Sequence, residues 1–192
     1  VVNDYLKEGI DHTLDETRNL SDSGQFEDIS LQQGIRQILY PYEEMEVLNP
    51  EWEVILKDII DSLFEQMSDE EYNILNEKFG TYMVSRAYEY RQLLEYFVFR
   101  YFAKSIYDYD FLGKCQMLVT NFFVIRQMDI IRWLDNHREY SFKDRMDVVH
   151  IFSRQVEYSE DNIENLYEDF IFDDIFKTDS LIAILWIDSE NI

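Results

Sequence analysis

Two side chains that could bind a metal stand three residues apart in the segment 142–156. Asp147 and His150 fall on one side of a helical pattern, a spacing that metal-binding helix bundles use. A metal site needs further ligands from a facing helix, and the other histidines, His12 and His137, lie in polar segments. The sequence therefore predicts no metal site, and we expect His150 at the edge of the core.

Other potentially reactive groups occur singly or in incomplete patterns. Cys115 is the sole cysteine, which excludes an internal disulfide and favours a reducing compartment, and its apolar neighbours predict a buried, inert thiol. The stretch 108–113, DYDFLG, begins like a calcium loop, but Leu112 and Val119 stand where oxygen ligands are needed. The five glycines are isolated, so no nucleotide-binding loop is predicted. No catalytic or cofactor-binding residue is assigned from these patterns.

A short polar signature lies in the stretch 152–158, FSRQVEY. Arg154 and Glu157 are three residues apart, so both can reach one side of a helix. They stand beside an apolar stripe, and we expect an exposed face for both. If the signature is more than a helix end, two roles are open. It could tie this helix to an aromatic helix through Arg100 or Tyr101, the interpretation we favour, or it could be left free to meet a partner.

The net charge bounds the kinds of partner. The chain has 40 acidic and 17 basic residues, a formal charge of −23. Phosphate backbones and anionic lipid surfaces would be repelled, so we expect neither nucleic acid nor a membrane as partner. The longest apolar run, 115–125, is also far shorter than a membrane span. A cationic protein surface would be attracted, although such a charge most often serves solubility.

Composition and periodicity predict the fold class. Only 5 glycines and 2 prolines occur in 192 residues, while phenylalanine and tyrosine number 14 each, which favours long helices with an aromatic core. Apolar residues recur at helical spacing along most of the chain. We predict a single all-α domain over 1–192, an irregular bundle of about seven or eight helices. Residues 1–25 are expected at its periphery or loosely packed.

Capping residues and apolar spacing give the predicted helices. Asn49, Ser68 and Ser159 resemble N-caps, Ser141 precedes a further helix, and Pro41 and Gly80 are expected to end two helices. Two aromatic-rich helices at 82–107 and 111–136 should form the centre of the core. The residues expected to be buried there are Phe97, Phe102, Leu118, Phe122 and Ile125. The inner stripe of the helix from 142 is predicted to be Phe142, Met146, Val149, Phe152 and Val156. The stretch 181–187 is predicted as a helix or a strand.

Two stretches of the sequence resemble a known family. Residues 90–134 contain the aromatic pattern Tyr96, Phe97, Arg100, Tyr101 and Phe102 followed by a long apolar helix. Residues 152–167 then contain Phe152, Ser153, Arg154 and Glu157. Together these stretches resemble the C-terminal helical region of the flagellin lysine-N-methylase family, a group of bacterial proteins.

The resemblance implies a function that the residues alone do not. It implies methyl transfer from S-adenosylmethionine to lysine side chains of flagellin, or of another lysine-bearing protein, in the cytoplasm. The family carries a cysteine cluster, and so an iron–sulfur centre, in its N-terminal part, whereas this sequence has one cysteine. The resemblance therefore implies the C-terminal part of a longer protein, with no cofactor expected in this segment and no activity on its own. The alternative is a non-catalytic helical module that binds other proteins.

Overall fold

The computed structural model describes residues 29–190 of the chain, and every regular element in that range is helical. Eight of its α-helices have at least ten residues, so the predicted all-α bundle is confirmed for this range. The predicted peripheral segment 1–25 lies outside the described residues. The α-helices are α1 (Leu31–Glu43), α2 (Pro50–Ile59), α3 (Asp69–Met83), α4 (Ala87–Tyr101), α5 (Ser105–Asp108), α6 (Phe111–Asp135), α7 (Phe142–Phe152), α8 (Glu160–Phe172) and α9 (Thr178–Glu190).

Side-chain caps fix where most of these helices begin. Asn49 accepts a hydrogen bond from the Glu51 amide with Pro50 in the first turn, and Ser159 caps α8 through the amide of Asn162. Ser68 and Ser141 each form a reciprocal capping box with the acidic residue three positions later. These predicted starts are confirmed, because a cap depends on residues that are close in sequence.

Several predicted helix boundaries are wrong. Pro41 lies inside the last turn of α1, where it removes a single backbone hydrogen bond, and Gly80 lies inside α3 rather than at its end. The predicted helix 82–107 is divided by 3₁₀ turns at Val84–Arg86 and Phe102–Lys104 into α3, α4 and α5. In contrast, α2 and α7 continue into π-helical turns, at Ile60–Glu65 and Ser153–Glu157. The stretch 181–187 belongs to helix α9.

The longest helix, α6, lies at the centre of the core, and α4 packs against it with one face. Phe97 and Ile125 are buried as predicted, whereas Phe102, Leu118 and Phe122 are only partly buried at the edge of the same core. Rings link the central helices to their neighbours: Phe97 of α4 meets Phe152 of α7 edge to face, and Phe152 meets Trp52 of α2 in the same way.

Buried polar side chains on α6 also contact the surrounding helices. Asn121 accepts a hydrogen bond from the Tyr42 hydroxyl of α1 at 2.9 Å. Gln127 accepts one from the Tyr72 hydroxyl of α3 at 2.9 Å, and Gln116 donates to the Phe176 carbonyl beyond α8 at 2.9 Å. Because buried polar groups must be paired, these contacts orient α6 about its own axis.

Among residues 29–190, the length and apolarity needed to cross a bilayer do not occur together in any helix.

Candidate functional site

The polar signature from 152–158 is divided between the interior and the surface. Glu157 ends the π-helical turn after α7 and is buried, while Arg154 is exposed. The Glu157 carboxylate accepts a hydrogen bond from the Tyr101 hydroxyl at 3.0 Å and from the Tyr96 hydroxyl at 3.1 Å. The Arg100 guanidinium lies 3.7 Å from it. The structure therefore brings Glu157, Arg100 and Tyr101 together and leaves Arg154 apart from them.

The expectation of an exposed face is thus wrong for Glu157 and right for Arg154. Glu157 turns inward because two tyrosine hydroxyls and one guanidinium from α4 compensate the burial of its charge. Burial, and next the Glu157 charge, raise the pKa of the Tyr101 and Tyr96 hydroxyls, which keeps both groups protonated as donors. The cluster joins α4 to the end of α7 and holds the two helices in place.

Replacing Glu157 with alanine is expected to cost about 1–3 kcal/mol of unfolding free energy, because it leaves the buried Tyr101 hydroxyl without an acceptor. Arg154→Ala, on the same turn, is the matched control and should change the unfolding free energy by less than about 0.5 kcal/mol. Urea unfolding followed by circular dichroism measures both. Equal losses in the two variants would contradict the structural role of the Glu157 cluster.

A second buried cluster, which the sequence analysis missed, joins α4, α6 and α7. Asp129 of α6 is fully buried and accepts hydrogen bonds from the Tyr90 hydroxyl at 2.6 Å, from the Tyr140 hydroxyl and from Arg145. Arg145 also donates to Glu89 at 3.2 Å and lies over the Tyr90 ring. Burial raises the pKa of the Asp129 carboxyl, and the charge of Arg145 opposes that rise. The available signal was Asp129 itself, an acid between the apolar residues Met128 and Ile130.

A third cluster lies one turn earlier along α6. Arg126 forms a buried ion pair with Asp188 of α9 at 2.9 Å and donates to the Asn76 side chain of α3 at 2.9 Å. Asn76 in turn donates to Asp188 at 2.7 Å, which closes a triangle of three helices. In all three clusters the ionisable groups are engaged with one another, an arrangement that serves packing.

The residues first considered for metal or thiol chemistry lie at or near the surface. His150 is exposed rather than at the core edge, and Asp147 pairs with Lys143. Both line a cleft of about 470 Å³ with Glu51 and Arg132. Within residues 29–190, His, Cys, Asp and Glu side chains do not gather in threes where they could hold a metal. Cys115 is half-buried rather than fully buried, and desolvation raises the pKa of its thiol, which disfavours the reactive thiolate.

Exposed aromatic residues gather where α5 turns into α6, a region that we call the aromatic corner (residues 106–112). Tyr107 and Tyr109 have 85% and 90% of their surface exposed, and Ile106, Phe111 and Leu112 are also exposed. Tyr109 has a left-handed backbone with φ of 56°. Position 113 is a glycine because a Cβ atom there would lie 2.2 Å from the Asp110 carboxylate. That carboxylate caps α6 by accepting a hydrogen bond from the Gly113 amide. Exposed apolar patches on protein surfaces can serve as contact areas for another molecule.

Lys114 lies next to the aromatic corner, and its ammonium group is paired with neighbouring side chains. The Lys114 ammonium lies 2.9 Å from the Asp108 carboxylate, 3.4 Å from that of Asp110 and 4.3 Å from the centre of the Tyr167 ring. Burial disfavours its charge, but Tyr167 and Asp108 more than compensate and raise the pKa of Lys114 above its ordinary value. Carboxylates and an aromatic face together are a favourable environment for an ammonium group.

A second apolar feature is the cleft between α4 and α6, with a volume of about 580 Å³. Phe122 lines it on α6, and Phe99, with 83% of its surface exposed, lines it on α4. The remaining lining residues are Ala87, Tyr90, Arg91, Leu94, Glu95, Val98 and Arg126. The described surface thus has exposed apolar areas, whereas the buried ionisable side chains are paired with one another inside the bundle.

Comparison with known proteins gives one match. Residues 1–184 match the family described as the FliB lysine N-methylase C-terminal domain. Neither the curated proteins nor the solved structures contain a match. The family match covers the aromatic helix α4, the central helix α6 and the Glu157 turn, the segments in which the sequence resemblance was found. The chain therefore belongs to the family of FliB lysine N-methylase C-terminal domains.

Proposed function

We propose that this chain is the protein-binding part of a bacterial, cytoplasmic enzyme that transfers methyl groups from S-adenosylmethionine to lysine side chains of flagellin. In this proposal the chain by itself binds flagellin and does not transfer methyl groups. The family membership supports the reaction class, since the family is described as a lysine N-methylase. The aromatic corner supports the binding role, because it exposes apolar rings that no other described element covers.

The chemistry of the corner suits a lysine-bearing partner. Tyr107 and Tyr109 flank Asp108, whose carboxylate already pairs with the Lys114 ammonium on its inner side. Exposed tyrosine rings attract cations through their faces and bury apolar area at the same time. The net charge of −23 would also draw a lysine-rich surface toward the chain over longer distances.

The cysteine content of this chain does not fit the iron–sulfur cluster implied for the whole enzyme. An iron–sulfur cluster is held by several cysteine thiolates, and the sequence has Cys115 alone. S-Adenosylmethionine would need an enclosed site that positions its methyl group against a lysine nitrogen and excludes water. The cleft beside His150 and the cleft between α4 and α6 are both open to solvent. These features support the proposal that methyl transfer requires more than this chain.

The second candidate function is a non-catalytic module that only binds proteins. The observation that favours it is the pairing of the buried ionisable groups, since Asp129, Arg126 and Glu157 are all engaged in contacts between helices. A cysteine cluster encoded upstream in the same reading frame would favour the methylase over the binding module.

We expect the 192-residue chain to bind flagellin but to leave it unmodified when labelled S-adenosylmethionine is supplied. Binding should be measured by titration calorimetry, and transfer by incorporation of label into flagellin. The double variant Tyr107→Ser/Tyr109→Ser should weaken binding at least about tenfold, because two exposed aromatic contacts are the type of residue that dominates interfaces.

Tyr158→Ser is the matched control, since Tyr158 is similarly exposed, at 79%, but lies beyond α7, outside the corner. The affinity of the Tyr158→Ser variant for flagellin should equal that of the parent chain. Incorporation of label by the chain alone would overturn the proposed division of roles, and unchanged affinity in the Tyr107/Tyr109 variant would overturn the binding site.

A further inference from the structure

One stripe along α4 has no partner within the described chain. Ala87, Arg91, Glu95 and Phe99 recur every fourth residue, are all exposed, and line the apolar cleft against α6. Residues spaced by four form one of the ridges with which helices pack against each other. The stripe thus presents a small residue at one end, a large exposed ring at the other, and opposite charges between them.

The order of these residues is self-complementary about Leu93. Ala87 and Phe99 lie equally far from Leu93 on its two sides, as do Arg91 and Glu95. When two copies of α4 cross in antiparallel directions about this point, each Phe99 faces the small Ala87 of the other copy. Each Arg91 then faces the other copy's Glu95. We propose that two copies of this chain pair through α4 in this way, as a two-fold symmetric dimer.

The geometry of the cleft supports a second copy as its occupant. Ala87 lines the cleft together with Tyr90, Leu94 and Phe122, and its small side chain occupies little of the space there. Phe99 of a second copy would bury its ring in that space. A two-fold axis repeats the same contact twice, as an isologous interface requires.

The charges of the stripe also favour pairing. Within one copy, Arg91 and Glu95 form an exposed ion pair at 2.9 Å, so both groups already lie on the face that would be shared. Across the dimer the same four groups would alternate in sign. Residues 86–104 carry four basic and two acidic side chains, so two chains of net charge −23 would approach there with little local repulsion.

Sedimentation equilibrium of the 192-residue chain tests the dimer directly. We expect the mass to rise from that of one chain to that of two as the concentration increases through the micromolar range. Phe99→Ser should raise the dissociation constant at least about tenfold, because it removes the apolar contact at each end of the paired stripes. Phe142→Ser is the control, since Phe142 is also exposed but lies on α7, and it should leave the dissociation constant unchanged.

Charge exchange between Arg91 and Glu95 tests the antiparallel order. Arg91→Glu should weaken the dimer because it places like charges opposite each other twice, and Arg91→Glu/Glu95→Arg should restore it by reversing both pairs. A chain that stays monomeric at all concentrations would overturn the proposal. The proposal would also be overturned if Phe99→Ser or Arg91→Glu left the dimer unchanged. It would be overturned as well if the double exchange did not restore the dimer. None of these measurements involves flagellin or methyl transfer, so the dimer is tested separately from the proposed function.

Discussion

Replacing Arg145 with methionine is expected to lower the unfolding free energy by about 3–5 kcal/mol near neutral pH, because it leaves a buried carboxylate without its cation. Asp129 is fully buried, and its remaining donors would be the Tyr90 and Tyr140 hydroxyls. Glu89 would lose the same cation, although it keeps its ion pair with Arg86 at 2.7 Å. Methionine fills a similar volume, so the effect reports charge rather than a cavity.

The loss in this variant should depend on pH. Burial already raises the pKa of Asp129, and removing Arg145 removes the charge that opposes the rise. A carboxyl whose pKa is raised by folding contributes stability below its unfolded pKa, and this contribution is lost as the pH rises through the folded value. The difference in unfolding free energy between parent and variant should therefore be smallest in the acidic range and should grow toward neutral pH.

Denaturant unfolding at a series of pH values measures this difference. In Arg145→Met/Asp129→Asn the titrating group is absent, so the pH dependence of the difference should disappear and the loss at neutral pH should be smaller. Arg154→Met is the control, because Arg154 is exposed on the turn that follows the same helix. A loss that is constant across pH in Arg145→Met would show that Asp129 is not the group left uncompensated.

Replacing Phe97 with alanine is expected to cost about 3–5 kcal/mol, because it opens a cavity where α4 packs against α7. The Phe97 ring lies 5.9 Å from the Tyr101 ring and 6.3 Å from the Phe152 ring, centre to centre, and is 1% exposed. Loss of this ring also removes support from Tyr101, which donates to Glu157. The thermal midpoint should fall by several degrees for each kcal/mol lost.

Phe142→Ala provides the comparison for this core variant, because Phe142 is an exposed phenylalanine on α7. Its unfolding free energy should stay within about 0.5 kcal/mol of the parent. If both phenylalanine variants were destabilised equally, the contact of Phe97 with Phe152 would contribute no more than an exposed ring does.

The helix starts could be predicted because their causes are local, whereas several boundaries could not. A serine with an acid three residues later determines a cap almost regardless of the rest of the chain, as at Ser68 and Ser141. Gly80 lacks such a local cause. A glycine inside a helix costs about 1 kcal/mol, which the burial of Phe79 and Met83 on either side outweighs. The energy that decides the boundary comes from residues distant in sequence.

The buried ion pairs were missed for a related reason. Apolar spacing placed Phe142 and Met146 on the inner face of α7, but both are exposed and Arg145 is buried instead. Arg145 turns inward because Asp129 of α6 and Glu89 of α4 lie there to accept its hydrogen bonds. Hydrophobic periodicity treats an arginine as a surface residue, so it cannot detect a cation whose partners lie on two other helices.

The polar signature shows how far the sequence could lead toward a site. Arg154 and Glu157 were equivalent candidates by their spacing. Only Glu157 is buried, because Tyr96, Arg100 and Tyr101 of α4 lie where they can pair with its carboxylate. The aromatic corner was not predicted, since apolar residues at helical spacing are usually core. It is exposed because α5 is a single turn that ends at Asp108, before the packed part of α6 begins.

The polar contacts along α6 restrict how the length of this helix can vary among related proteins. Inserting one residue into an α-helix rotates everything beyond it by about 100°. Near the middle of α6, such an insertion would turn Gln127 and Asp129 away from Tyr72, Tyr90 and Arg145 while Gln116 stayed in place. No single further substitution could repair so many separate losses. Insertions and deletions in the family should therefore fall between helices, and α6 should keep a constant number of residues.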